Sequence, residues 1–68
     1  MAMAVAKTVE IISSSTESIE AAIREGIAKV SETVHGIEGA WVQDTKAIVR
    51  DNQVAEWRVT LKITFVVS

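Results

Sequence analysis

In the segment "EWRVTLKITFVV" apolar and polar side chains alternate without interruption. Trp57, Val59, Leu61, Ile63, Phe65 and Val67 fall on one side, and Arg58, Thr60, Lys62 and Thr64 on the other. A period of two is the mark of a strand with one dry face, so the pattern predicts a strand over 54–67. Residues 5–13, "VAKTVEIIS", are β-branched and half alternating, and read as another strand. The period then changes. Ile19, Ile23, Ile27, Val30 and Val34 recur at helical spacing and form one apolar stripe. The preceding "SSST" offers several N-caps, and Ser14 with Glu17 has the spacing of a capping box. Gly36 is placed to end the helix, with His35 in its last turn, where a cation suits the dipole. Residues 40–50 read as a strand joined to the last one through Asp51-Asn52, a hairpin-type turn. The predicted order is β-α-β-β, an α+β fold.

One helix covers one face of a three-stranded sheet, and the Trp57 to Val67 face is the apolar one that needs it. The opposite face stays open. Strict alternation places Trp41, Gln43 and Thr45 on that open face beside Arg58, Thr60 and Lys62, so an indole stands among polar neighbours. A last strand of about fourteen residues would reach roughly 46 Å. That is long for an isolated domain of this size, and the strand is expected to bend or to leave its own sheet for a neighbour's.

Length and composition narrow the classes. The 68 residues form one domain over 1–68, 49% hydrophobic and 24% charged, with no cysteine and no proline. Disulfides, thiolate catalysis and zinc sites of the cysteine type are therefore excluded. Packing alone stabilises so short a chain with difficulty, and oligomerisation is the remaining staple. Seven Lys and Arg are scattered among nine Asp and Glu, net charge −2, which argues against a nucleic-acid partner. No apolar run approaches the ~18 residues of a membrane span. The start "MAMAVAK" lacks a charged n-region and a long h-region, so no signal peptide is read and the expected location is cytoplasmic. There is no Ser-His-Asp pattern, no H-x-x-x-H and no glycine-rich phosphate loop, nor the N-terminal proline of a small tautomerase, and the chain is expected not to be an enzyme. Glu10, Glu17, Glu20, Glu25, Glu32 and Glu38 read as solvated. Calcium takes six to eight oxygens, and with no D-x-D-x-D run any metal site would have to be assembled from several subunits, at positions the sequence leaves unknown.

The β-α-β-β order, the serine-rich cap before "SIEAAIREGIAKVSETV", the "DN" turn and the segment "EWRVTLKITF" resemble the dodecin family over nearly the whole chain, without a gap. The resemblance implies a three-stranded antiparallel, strongly curved sheet wrapped around the helix, and a hollow homododecamer that stores flavins, riboflavin or FMN, in pairs between subunits. In flavin-binding members a tryptophan at the start of the second strand stacks on the isoalloxazine, and a glutamine of the third strand bonds its polar edge. In the ungapped register that tryptophan falls on Gly39 and that glutamine on Arg58. Trp41 stands two residues later, displaced by about 6.6 Å on the same face. The "WR" of the third strand is similar to a divergent branch, one member of which is a calcium-binding dodecin.

Trp41, Gln43, Arg58 and Thr60 are thus the candidate ligand-binding residues. Trp41 is either a stacking platform for a flat ligand or a side chain buried in a subunit interface. Arg58 either stacks on Trp41, binds a phosphate, or pairs with Glu56 or a neighbour's Asp44. Trp57 alternates with the core residues and belongs with them. Flavin affinity is expected to be weak or absent, and the competing function is a structural shell or a calcium-binding variant.

Overall fold

The computed structural model describes residues 5–67; residues 1–4, where the "MAMAVAK" reading begins, and residue 68 lie outside them. The order is β1 (Val5–Ser15), α1 (Ile19–Val30), β2 (Ile37–Arg50) and β3 (Gln53–Val67). β3 is central: it pairs antiparallel with β1 on one side and with β2 on the other. Its alternation decides this, because the central strand has both edges paired and needs one fully dry face. Val59, Leu61 and Ile63 supply that face and, with Ala22 of α1, are the buried apolar core.

α1 is shorter than its apolar stripe. Ser31 caps it, and the chain tightens as Glu32 N–H donates to the Lys29 carbonyl and Thr33 N–H to the Val30 carbonyl. The hydroxyl of Ser31 donates to the Ala28 carbonyl at 2.7 Å, a local bond that competes with helix continuation. Val34 keeps its half-buried place from outside the helix, and His35 lies beyond the last turn, exposed. The start also differs from the Ser14 and Glu17 expectation. Pairing of β1 with β3 continues to Ser15, so Ser14 is a strand residue opposite Arg58. Ser18 is the N-cap, its hydroxyl accepting from Ala21 N–H at 2.9 Å, and Ser15 Oγ accepts from Glu17 N–H at 3.0 Å.

α1 packs on β1 and β3 and leaves β2 uncovered. The approach to β1 is close. Ser13 Oγ donates to the Ala22 carbonyl at 2.8 Å, and a Cβ on Gly26 would come within 3.0 Å of Ser13 Cβ and 3.2 Å of Ile11 Cδ1. A side chain there would have to push Ser13 and Ile11 aside by a few tenths of an ångström. After α1, Gly36 takes φ +78 and its carbonyl accepts from Val66 N–H at 3.0 Å, which turns the chain into β2. At the other end Asp51 and Asn52 have φ 54 and 62, the left-handed pair of a two-residue hairpin.

Beyond Trp57, where β1 stops, β2 and β3 pair only with each other and form a two-stranded arm with Val49 and Val54 exposed. The long last strand therefore extends the protomer, whose dimensions are 57 × 20 × 13 Å. Its radius of gyration is 14.2 Å, against about 11 Å for a compact chain of this length. Its accessible surface is 5115 Å², against roughly 4200 Å² for a compact monomer of this mass. Among the described residues no helix is long and apolar enough to cross a membrane.

Candidate functional site

The open sheet face is built from the even-numbered residues of β3 and whatever pairs with them. Toward the arm, Arg58 lies between Ser14 of β1 and Lys46 of β2. Next, Thr60 lies between Ile12 and Asp44; then Lys62 lies between Glu10 and Trp41. The register shifts between Val42 and Asp44, leaving Gln43 as an extra residue in β2. This bulge corrects the predicted facing. Trp41 is on the open face as expected, but the phase then flips: Thr45 stands opposite Val59, and Asp44 and Lys46 take the open-face positions.

Ile12, Asp44, Thr45, Lys46, Arg58 and Thr60 line a half-open concavity of about 450 Å³. Lys46 and Arg58 are directly opposite across the strands, an arrangement of like charges that costs stability unless an anion is close. Arg58 has one: its guanidinium donates to Glu56 Oε1 at 2.5 Å, within the same strand. Of the pairings open to Arg58, the protomer itself thus forms the one with Glu56. Among the described residues no three His, Cys, Asp or Glu side chains gather where they could hold a metal.

The match to the dodecin family model runs over residues 5–68, nearly the whole chain. This protein belongs to the dodecin family. The dodecin from Streptomyces davaonensis is 30% identical, with a TM-score of 0.93 over 98% of both chains. The dodecin from Streptomyces coelicolor is 25% identical, with a TM-score of 0.93 over 100% of this chain and 97% of that one. A tryptophan-to-phenylalanine mutant of the Thermus thermophilus dodecin is 27% identical, with a TM-score of 0.91 over 97% of this chain and 98% of that one. No curated protein matches this sequence. The dodecin fold, three antiparallel strands and one helix in the order β-α-β-β, accounts for the whole described chain.

Within this dodecin the four sequence-predicted site residues do not all meet. Arg58 and Thr60 share the concavity, both half-buried. Trp41 stands one row farther along the open face, 71% exposed, opposite Lys62. Gln43 is exposed on the bulge. Lys46 and Ile12 join the site without having been singled out in the sequence, and Asp44, considered there only as a neighbour's partner for Arg58, joins it from the same chain. Their signal is a change of parity in β2. Ala40 and Val42 share the side of Ile63 and Leu61, whereas the next apolar residue on that side is Ala47, opposite Trp57. An odd spacing between Val42 and Ala47 requires one residue too many. Trp57 shares the covered face, as its alternation predicts, but it is half-buried beside Ser18 and Ile19 at the start of α1 and stands outside the apolar core it was expected to join.

Proposed function

We propose that this dodecin assembles into a hollow homododecamer whose subunits cover one another's open sheet faces, and that the assembly captures a small molecule stoichiometrically without turning it over. The observation that carries this reading is the face itself. A sheet covered on one side, with Trp41 and Ile12 each about 70% exposed on the other, leaves more surface in water than a chain of this mass ordinarily does. A symmetric closed assembly removes it. The side chains around the concavity are hydrogen-bond donors and acceptors with one aliphatic wall, a set suited to holding a ligand.

The ligand that the family resemblance implies is riboflavin or FMN, and two features argue for weak affinity here. The indole stands about 6.6 Å along the strand from Gly39, where the stacking tryptophan of the family falls. Arg58 only donates, where a glutamine amide both donates and accepts, and it is already tied to Glu56. Trp41 then serves to close the pocket between subunits. The Arg58 to Glu56 pair also favours a second reading, a structural shell whose pockets are filled by its own side chains. A calcium ion, as in the divergent branch, would need carboxylates from several subunits.

A titration with riboflavin and FMN of the wild type and of Trp41→Ala, with assembly followed by sedimentation, separates these readings. Weak binding by both, with the mutant's assembly loosened, is the expected outcome. Tight binding that is lost in Trp41→Ala would make the indole a stacking platform and overturn the interface role. A wild type that binds neither flavin at any accessible concentration favours the shell.

A further inference from the structure

On the helix side the sheet outruns the helix that covers it. β2 and β3 continue past Trp57 as the arm, and an extra residue in β3 decides which side its valines take. Ile48 pairs with Glu56 and Val49 with Val54, so Ala55 has no partner of its own. Strict alternation would put Val54 with Glu56 and Arg58 on the open face. The insertion turns it to the other side, where it meets Val49, two residues beyond Ala47 and on the same side as Trp57. Val49 and Val54 are 58% and 49% exposed there.

Where the arm begins, Glu17, Ser18, Ile19 and Trp57 line a groove of about 240 Å³ at the start of α1. Half-buried Trp57 and Ile19 give it apolar walls, the Ser18 hydroxyl is engaged as the N-cap, and Glu17 is exposed. A two-stranded ribbon is marginally stable by itself in water, and an exposed apolar pair next to an apolar groove marks a contact surface. Charge indicates what covers it. Arg50 adjoins Val49 at the tip of the arm, opposite Gln53. Neither Arg50 nor Glu17 takes part in the ion pairs formed among the described residues. The arm thus presents aliphatic side chains and a cation, and the groove presents apolar walls and an anion.

We propose that the arm of one copy packs into the α1 groove of the next, with Val49 and Val54 against Trp57 and Ile19, and Arg50 beside Glu17. The inference rests on the assembly reading above and adds a second, different contact to it. Mutual covering of open faces is isologous and by itself ends at a pair of copies, whereas a contact between two different patches is heterologous and closes into a ring. A hollow shell of twelve needs both kinds. With tetrahedral symmetry the arm contact forms rings of three.

Sedimentation of the double variant Val49→Glu, Val54→Glu tests this, with circular dichroism to show that each variant is folded. Both side chains are exposed in the protomer, so the variant should keep its strand signal and fall from twelve 7.4 kDa protomers to open-face pairs, a sixfold drop to about 15 kDa. Arg50→Glu and Glu17→Arg should each make the assembly dissociate at a protein concentration at least about threefold higher than the wild type does, because each sets like charges together. Combining the two in one chain should restore it. If glutamates at both valines prevent folding, the charge exchange decides alone. A folded double-valine variant that stays at twelve copies or drops directly to a monomer would overturn the arm contact, as would a charge exchange that restores nothing, and the open-face contact would still stand on the wild type's own assembly. A wild type that sediments as a monomer would overturn the assembly reading, and the arm contact with it.

Discussion

The two faces of β3 are made by the same backbone and differ in almost everything else. On one side Val59, Leu61 and Ile63 are at most 1% exposed, pressed against α1 and β1. On the other, Arg58, Thr60, Lys62 and Thr64 are half-buried under nothing but their own strand neighbours. The covered face carries the fold of the protomer. The open face carries its chemistry and, in the assembly proposed above, its contacts with other copies. A substitution on one face should therefore register in a different observable from one on the other.

The largest effect is expected from Leu61→Ala. The side chain is fully buried in a core of four residues, and its loss should cost about 2–5 kcal/mol, read as a lowered denaturant midpoint at fixed protein concentration. Thr60→Val, the next residue on the other face, should move that midpoint by less than about 0.5 kcal/mol. Equal costs for the two would erase the distinction between the faces. A second probe of the covered face is Gly26→Val, which forces a branched side chain into the 3.0 Å approach to Ser13. It should destabilise by about 1–3 kcal/mol through overpacking. A neutral result would mean that α1 is free to lift off β1.

A smaller effect sharpens the comparison from the open side. Combining Gly39→Trp, Trp41→Ala and Arg58→Gln restores the stacking and amide positions that the family resemblance implies. A Cβ at residue 39 meets only Thr64 Oγ1, at 3.5 Å, so the strand accepts a side chain there. Riboflavin affinity should rise about tenfold or more, about 1.4 kcal/mol, with the unfolding midpoint little changed. A triple mutant no better than wild type would show that flavin recognition on this face depends on something other than those three positions.

How far the sequence foretells the structure follows the same division. The covered face is legible because burial demands apolar residues at fixed period, and β3 and the stripe from Ile19 to Val30 obey it. The Asp51-Asn52 hairpin is legible because few residues accept a positive φ, and both do so here. The helix start is ambiguous because "SSST" and Ser18 offer hydroxyls in succession, and which one caps depends on how far β1 stays paired. The open face is least legible. Nothing buried polices its pattern, and the Gln43 bulge needs no special residue, so strict alternation gives Thr45 the place that Asp44 occupies. That single insertion separates a site of Trp41, Gln43, Arg58 and Thr60 from the concavity that the fold forms.

The central claim is that the open face is covered by other copies of the chain, and equilibrium sedimentation of the wild type at micromolar concentration tests it most directly. The account predicts one species of twelve 7.4 kDa protomers, about 89 kDa, with closed symmetry. A stable monomer of 7.4 kDa would leave Trp41 and Ile12 in water and contradict it.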